Sequence, residues 1–174
     1  EVSMETILAL TTRRSVRKYK PQPVPQETLD KILQAGIFAP TARNTQSPII
    51  IVIKNAEVRK QLQKVNAEIG GMPEGFDPFF GAPLVLLVVA KKYPNCVYDG
   101  SCVISNLMNA AWSLGVASCW VHRAKEEMQT DFGRQLMQKL GIEDEVEGIG
   151  HVALGYAEGE IPQAKPRKEH WVYT

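Results

Sequence analysis

A run of seven apolar residues, Leu84 to Ala90, constrains the fold of this chain more than any other feature. The run has the length of a strand and is far shorter than the roughly 18 apolar residues that a membrane-spanning helix needs. No polar residue alternates within it, which indicates that neither face of the strand meets water. The sequence therefore predicts a sheet in which this strand is covered on both faces.

Helices and strands alternate along most of the chain. Apolar side chains three and four residues apart predict helices, and β-branched or continuous apolar runs predict strands. The predicted helices span residues 4–11, 26–38, 58–69, 99–114 and 125–140, and the predicted strands span residues 49–54, 84–90, 118–122 and 149–156. Asp99 and Ser101 are candidate N-caps of the fourth helix. The pattern fits one α+β domain over residues 1–174, a compact sheet flanked by helices.

Charge and cysteine content exclude several classes of protein. The formal net charge of +1 provides no global field that would attract nucleic acid or an anionic membrane. The three cysteines, Cys96, Cys102 and Cys119, form an odd set without metal-ligand spacing, so no metal site is predicted. We interpret them as reduced thiols, with Cys102 and Cys119 in the core, and we expect a cytoplasmic protein.

A cluster of hydrogen-bond donors follows the first predicted helix. Residues 13–19, here called the basic segment, contain three arginines within five positions, at Arg13, Arg14 and Arg17. Guanidinium groups match phosphate oxygens in two-pronged hydrogen bonds, and the Ser15 hydroxyl adds a neutral donor. The basic segment is therefore a candidate anion site. Taken alone, it also fits a solvated basic face, or a nucleic-acid-binding patch with a steep salt dependence.

Further motifs follow the basic segment in order. A second polar loop, residues 39–48 (Ala-Pro-Thr-Ala-Arg-Asn-Thr-Gln-Ser-Pro), leads directly into an apolar strand. The later motifs are Ala82-Pro83, residues 114–120 (Leu-Gly-Val-Ala-Ser-Cys-Trp), Gly155-Tyr156 and Pro166-Arg167-Lys168. Together with the basic segment, these motifs resemble the nitroreductase family of flavin enzymes over essentially the whole chain.

The resemblance implies a three-layer α/β/α fold with a central, mainly antiparallel sheet, assembled as a homodimer with FMN sites at the subunit interface. It implies an oxidoreductase that passes electrons from NADH or NADPH to a small acceptor, such as a nitroaromatic or a quinone, in a ping-pong cycle. The cofactor carries this chemistry, so no catalytic side chain is required. The alternative is a flavin-binding protein without nicotinamide turnover, which stores or degrades flavin.

The FMN phosphate and the flavin pyrimidine have candidate partners in the basic segment and in the C-terminal tail. We expect Arg13 to hold the phosphate together with Arg167 and Lys168, with Lys165 as an alternative member. By resemblance to the family, Arg14 and Ser15 contact the phosphate and ribityl region. Arg17 lies near the pyrimidine side of the ring, where a cation stabilises the reduced flavin. Asn66 is a candidate for the pyrimidine edge, because the lysine that many relatives place there is missing.

Two further segments complete the predicted site. Thr41, Asn44 and Gln46 offer short neutral groups for the ribityl chain, and in the family this loop reaches the flavin bound mainly by the other subunit. Residues Trp120, Val121 and His122 match the segment that forms a wall beside the ring. The main chain of Val121 or His122 is the expected donor to flavin N5, and the His122 side chain is alternatively a polar rim group. An apolar cluster at residues 171–173 also needs a docking surface, either on its own core or on a partner.

Overall fold

The helices and strands of the protein alternate largely as the sequence predicts. The computed structural model describes residues 4–168 and 170–174. Its helices are α1 (Thr6–Thr12), α2 (Gln26–Ile37), α3 (Ala56–Ile69), α4 (Cys96–Ser113), α5 (Ala124–Met128) and α6 (Asp131–Lys139). Its strands are β1 (Pro48–Ile53), β2 (Leu84–Lys91), β3 (Ala117–Val121) and β4 (Val146–Gly155). A short 3₁₀ turn, Ala42–Asn44, lies between α2 and β1.

Strand β2 lies inside the sheet. Within the described part of the chain the strands form one sheet in the order β1-β2-β4-β3. Strand β2 pairs with β1 and β4, β3 pairs with β4, and every pair is antiparallel. All side chains from Val85 to Ala90 are completely buried, which accounts for the missing polar alternation in this run. The predicted α+β fold with an antiparallel sheet is confirmed.

Each face of β2 packs against a different layer of helices. One apolar core contains Val85, Leu87 and Val89 of β2 together with Leu62 of α3 and Leu136 of α6. The alternate residues of β2, Leu86, Val88 and Ala90, belong to a second core. This core also contains Ile32 of α2 and Leu107 of α4. Since side chains alternate between the faces of a strand, the two cores give the three layers α/β/α.

The basic segment extends the sheet beyond β3. Ser15 forms an isolated parallel bridge with Ser118 of β3, and the Val16 N–H donates to the Ser118 carbonyl oxygen at 3.0 Å. Tyr19 bridges Ala157 just after β4. The Tyr19 side chain is buried, and its hydroxyl donates to the Val16 carbonyl oxygen at 2.6 Å. The arginines of this segment are therefore held along the outer edge of β3.

The single helix predicted over residues 125–140 is wrong, because α5 and α6 occupy this range. Thr130 has an extended backbone conformation, and its side-chain oxygen accepts a hydrogen bond from the Gly133 N–H at 3.2 Å, so it caps a new helix. Gly133 allows the two helices to meet closely, since a Cβ at this position would lie 2.2 Å from the Glu127 carbonyl oxygen. The spacing of apolar residues continues across this break, so the sequence pattern does not indicate that one helix ends and another begins.

Two further expectations about α4 are wrong. The helix begins at Cys96, so Asp99, in its first turn, and Ser101 both lie inside the helix rather than at its N-cap. Cys102 is exposed, because the buried face of α4 passes through Val103 and Leu107, whereas Cys119 is buried as expected. In the ranges that the structure describes, no helix has both the length and the apolarity needed to cross a membrane.

Gly133→Ala tests the close contact between α5 and α6. In an open helix interior this change stabilises a protein by up to about 1 kcal/mol. Here the added methyl group would meet the backbone of Glu127 and Met128, so we expect the free energy of unfolding to fall by about 1–3 kcal/mol. Urea denaturation measures the difference. Gln135→Ala, at an exposed position of α6, is the control, and an equally stable Gly133→Ala variant would contradict the contact.

Candidate functional site

Arg13 supplies a half-buried guanidinium at the end of α1. Its Nη1 atom is buried and has no hydrogen-bond partner among the residues that the structure describes. Burial lowers the pKa of Arg13, and the charges of Arg14 and Arg167 lower it further. A buried cationic donor is costly until an acceptor satisfies it. An anion such as a phosphate is the ligand that fits this nitrogen.

The C-terminal tail returns to the beginning of the chain at Arg167. This residue lies close enough to Arg13 for its charge to lower the Arg13 pKa. Arg167 and the following Lys168 are both exposed. Arg167 thus adds positive charge near Arg13.

The other donors of the basic segment have different surroundings. The Arg14 Nη1 atom donates to two local carbonyl oxygens, at 3.2 and 2.6 Å. Ser15 lies beside the buried Cys119 thiol, whose pKa is raised by burial against the opposing effects of Arg17 and Ser15. Arg17 is exposed, and its guanidinium carbon lies 5.8 Å from the centre of the Phe80 ring. Arg17 therefore lies at the surface, next to an aromatic side chain.

The loop between α2 and β1 is strained. Arg43, Asn44 and Gln46 have φ angles of 53°, 55° and 51°, and left-handed backbone costs about 1–3 kcal/mol at each non-glycine residue. Thr41 Oγ1 accepts from the Gln46 N–H, and the Gln46 side-chain amide donates to Asn44 Oδ1, both at 3.1 Å. The three side chains predicted to contact the ribityl chain therefore lie together in one tight turn, which we call the strained loop, residues 41–46.

Asp99 holds the strained loop from the first turn of α4. Its buried carboxylate accepts hydrogen bonds from the Ala42 N–H at 2.9 Å and from the Thr45 hydroxyl at 3.4 Å. The Tyr93 hydroxyl also donates to Asp99, and this bond raises the pKa of Tyr93. These bonds offset part of the strain of the loop. Sequence reasoning missed this role, and the one signal for it was a carboxylate in an otherwise apolar helix face.

Asp99→Asn tests this contact through the ionisation of Tyr93. The variant loses the carboxylate that stabilises the protonated phenol, so we expect the Tyr93 pKa to fall towards its ordinary value of 10.0. Ultraviolet titration of the parent and of the variant measures the shift. Titration of Tyr93→Phe identifies which part of the signal belongs to Tyr93. An unchanged Tyr93 pKa in Asp99→Asn would show that the Asp99 carboxylate does not accept a hydrogen bond from Tyr93.

Three buried polar side chains meet beneath the end of β3. Glu127 and His151 are completely buried, with Oε2 and Nε2 2.6 Å apart. Asn66 is also completely buried and donates to Glu127 Oε1 at 2.5 Å and to the His122 carbonyl oxygen at 2.9 Å. His151 Nδ1 lies 2.9 Å from the Val121 carbonyl oxygen. We call Asn66, Glu127 and His151 the core polar cluster.

Sequence reasoning missed the core polar cluster and misplaced one of its members. Asn66 was a candidate for the flavin pyrimidine edge, and this prediction is wrong. Its side chain is completely buried. The amide nitrogen donates to Glu127 and to the His122 carbonyl oxygen, and the amide oxygen accepts from Arg123 Nη1 at 3.1 Å. The available signal was His151, a titratable residue inside the otherwise apolar stretch of residues 149–154.

The bonds to Val121 and His122 determine where the N–H groups of this segment point. The described chain has no cis peptide bond, so each N–H points opposite to the carbonyl oxygen of the preceding residue. The Val121 carbonyl oxygen faces His151 of β4, and the His122 N–H is therefore directed away from β4. The basic segment borders that same outer edge of β3. The His122 N–H and the basic segment therefore lie on the same edge of β3.

The predicted ring wall has one buried, one half-buried and one exposed side chain. Val121 is buried and paired with His151 in the ladder, Trp120 is half-buried, and His122 is exposed. Trp120 packs its indole over Gly150, where a Cβ would lie 2.6 Å from the indole nitrogen. The geometry favours the His122 main chain over that of Val121 as a donor, and it places the His122 side chain at a solvent-exposed rim.

The predicted halves of the site lie apart within one chain. The strained loop leads into β1, whereas the basic segment borders β3, at the opposite edge of the sheet. Three strand spacings, about 14 Å, separate the two edge strands. The structure therefore places the basic segment beside β3, with Arg17 near Phe80 and Cys119, and leaves Thr41, Asn44 and Gln46 at the other edge. The Trp120 indole packs into the core formed with α2 and α4.

Comparisons with known proteins agree with this fold. The model of the nitroreductase family matches residues 10–70 and 72–156. A protein of Archaeoglobus fulgidus, provisionally named an NADH dehydrogenase/NAD(P)H nitroreductase, is 31% identical over 90% of this chain and 87% of its own length. A nitroreductase with bound FMN from Bacteroides fragilis superposes with a TM-score of 0.86 at 26% identity, covering 99% of both chains. A second nitroreductase with bound FMN, from Desulfitobacterium hafniense, also has a TM-score of 0.86, at 25% identity over 98% of this chain and 99% of its own. The chain belongs to the nitroreductase family.

Proposed function

We propose that this protein is an FMN-dependent oxidoreductase that passes electrons from NADH or NADPH to a small acceptor, such as a nitroaromatic or a quinone, in a ping-pong cycle. The observation that carries the proposal is the buried, unpartnered Nη1 atom of Arg13 at the edge of β3, found among the described residues. The family members from Bacteroides fragilis and Desulfitobacterium hafniense contain bound FMN. The FMN phosphate is an anion of the kind that this nitrogen fits.

The phosphate end of the site would be held by cations from both ends of the chain. Arg13 would donate through its buried Nη1 atom, with Arg167 and Lys168 adding positive charge. Arg14 and Ser15 would supply further donors to the phosphate and ribityl region. Charge-assisted hydrogen bonds to a phosphate are stronger than bonds between neutral groups, so most of the affinity would come from this end.

The flavin end of the site would lie between Arg17 and the end of β3. The exposed Arg17 guanidinium would bring positive charge to the pyrimidine side, which favours the reduced flavin. Trp120 would contribute to the wall, and the His122 N–H would donate towards N5. When bound, FMN supplies the redox chemistry, taking up hydride from the nicotinamide and then passing electrons to the acceptor. The chain itself contributes binding, orientation and charge.

We propose that a second copy of the chain completes the site, as a homodimer. The strained loop and the basic segment lie at opposite edges of one sheet, so a loop from another copy is needed beside the basic segment. Trp171, Val172 and Tyr173 are 72%, 89% and 89% exposed. Large apolar side chains at this exposure favour docking on another surface. The proposal also places the protein in a reducing cytoplasm, where the thiols of Cys96, Cys102 and Cys119 remain free.

Anaerobic absorbance of the FMN-reconstituted protein tests the proposed activity. After removal of free flavin, we expect the protein to keep absorbance near ~450 nm and to lose it when NADPH or NADH is added. Flavin that stays bound but oxidised with both nucleotides would instead favour a flavin-binding protein without nicotinamide turnover. A protein that keeps no flavin would contradict both functions.

Arg13→Ala tests the phosphate site. The variant removes charge-assisted hydrogen bonds worth about 1.5–3 kcal/mol, so we expect the Kd for FMN to rise by about 10- to 150-fold. Fluorescence titration of FMN into the apoprotein measures it. Lys18→Ala is the matched control, because Lys18 lies in the same segment and pairs at the surface with Glu158 at 3.4 Å. Equal FMN affinity of Arg13→Ala and the control would remove Arg13 from the site.

Light scattering tests the proposed dimer. We expect the parent protein to be a dimer at micromolar concentration. The double variant Trp171→Asp and Tyr173→Asp places charges in the exposed apolar cluster, so the dimer and FMN binding should weaken together. Lys139→Asp, an exposed charge change on α6, is the control. A monomeric parent that binds FMN with normal affinity would contradict the two-chain site.

A further inference from the structure

The core polar cluster occupies a place where apolar side chains would be the simpler solution. Among the described residues, six polar or charged side chains are buried, and three of them, Asn66, Glu127 and His151, form this cluster. A buried ion pair or amide network adds little stability over well-packed apolar residues. The cluster therefore calls for a role that apolar side chains cannot fill, and its two bonds to the backbone at the end of β3 provide one.

The bonding pattern fixes the hydrogens of His151. The Val121 carbonyl oxygen can only accept, so His151 Nδ1 carries a hydrogen and donates it. His151 Nε2 and Glu127 Oε2 then share one proton across 2.6 Å. The pair is neutral overall whichever atom holds that proton, which avoids an uncompensated charge in the core. The imidazole is thus held from both ends, between the backbone and a carboxylate.

Asn66 is fixed by the same reasoning. Glu127 Oε1 and the His122 carbonyl oxygen are both acceptors, so the side-chain nitrogen of Asn66 must face them with its two hydrogens. Its side-chain oxygen faces the other way and accepts from Arg123 Nη1 at 3.1 Å. A flipped amide would lose all three bonds. Asn66 therefore ties the His122 carbonyl oxygen to α3 in a single orientation.

The backbone just beyond His122 is held under strain. Arg123 has a φ of 77°, which is left-handed, and its guanidinium packs on Gly70, where a Cβ would lie 2.5 Å from the guanidinium carbon. Such a conformation persists only when the surrounding structure determines it. The core polar cluster and the contact of Arg123 with Gly70 together hold Arg123 in this left-handed conformation.

We propose that the core polar cluster is a positioning device for the bound flavin. His151 bonds the Val121 carbonyl oxygen and so directs the His122 N–H outward to the edge of β3, where the flavin N5 would lie. Asn66 bonds the His122 carbonyl oxygen and fixes the next peptide plane, so that His122 is held on both sides. The three side chains touch neither cofactor nor substrate and act only through this backbone. The inference rests on the proposed FMN site, and it adds the groups that set the donor geometry there.

Asn66→Leu is the primary test, because leucine has a similar size and lacks both donors. In the FMN-free protein we expect faster amide hydrogen exchange at residues 121–124. In the FMN-loaded protein we expect the rate constant of flavin reduction by NADPH or NADH to fall about tenfold or more, since small displacements of reacting groups are costly. The FMN affinity should change little, because the phosphate site at Arg13 is untouched. Thr28→Val, at a buried polar position of α2, controls for lost stability and should leave exchange and reduction unchanged.

A second pair of variants keeps the test decisive if Asn66→Leu fails to fold. In Glu127→Gln, the amide oxygen accepts from Asn66 and the amide nitrogen donates to His151 Nε2, so the geometry survives and reduction should remain near the parent rate. Glu127→Leu removes both bonds and should behave like Asn66→Leu. Leucine variants with parental exchange or parental reduction rates would overturn the inference, and so would a Glu127→Gln variant as slow as Glu127→Leu. A parent protein that binds or reduces no FMN would instead overturn the proposed function, and the exchange measurement distinguishes the two because it needs no flavin.

Discussion

Burial of β2 on both faces is the constraint on which the rest of the structure depends. The side chains from Val85 to Ala90 are completely buried, and each of the larger ones contributes about 1.5–3 kcal/mol by leaving water. That burial requires a helical layer on either side and a strand on either edge, β1 and β4. The candidate polar binding groups therefore lie at the edges of the sheet, in the basic segment beside β3 and in the strained loop before β1. The basic segment pairs with the outer edge of β3 at Ser118, so the contact that occupies part of this strand edge also places the arginines beside it.

Local pattern was sufficient for most of the fold. Helix α2 and strand β2 depend on spacing within their own residues, and their predicted bounds differ from the observed ones by one residue at most. The break between α5 and α6 was not predictable, because it depends on Gly133 touching the Glu127 backbone, a contact formed only after folding. The predicted burial of Cys102 was wrong for a similar reason, since apolar neighbours in sequence do not indicate which face of α4 packs against the core.

The candidate site divides in the same way. Short motifs were enough to nominate Arg13 for an anion site and Thr41, Asn44 and Gln46 for polar contacts, because residue type carries that chemistry. The direction of the His122 N–H was beyond the sequence, since it follows from the bond between the Val121 carbonyl oxygen and His151 on a neighbouring strand, while Asn66, 56 positions away, holds the next peptide plane. Distant residues that bond to backbone leave no local motif. Asn66 was wrongly assigned to the pyrimidine edge because a buried asparagine and a ligand-binding asparagine cannot be distinguished in a sequence.

The basic segment and the strained loop lie at opposite edges of the sheet, so in the proposed dimer each site combines the basic segment of one chain with the loop of the other. This arrangement determines how defects in the two chains of a mixed dimer combine. A substitution of Arg13 damages the basic half of a site, and a substitution of Asn44 damages the loop half of the site across the interface. A mixed dimer with one defect on each chain has one site that carries both defects and one site that carries neither. Two inactive alleles would therefore complement each other in the same cell, whereas two alleles damaged in the same half would not.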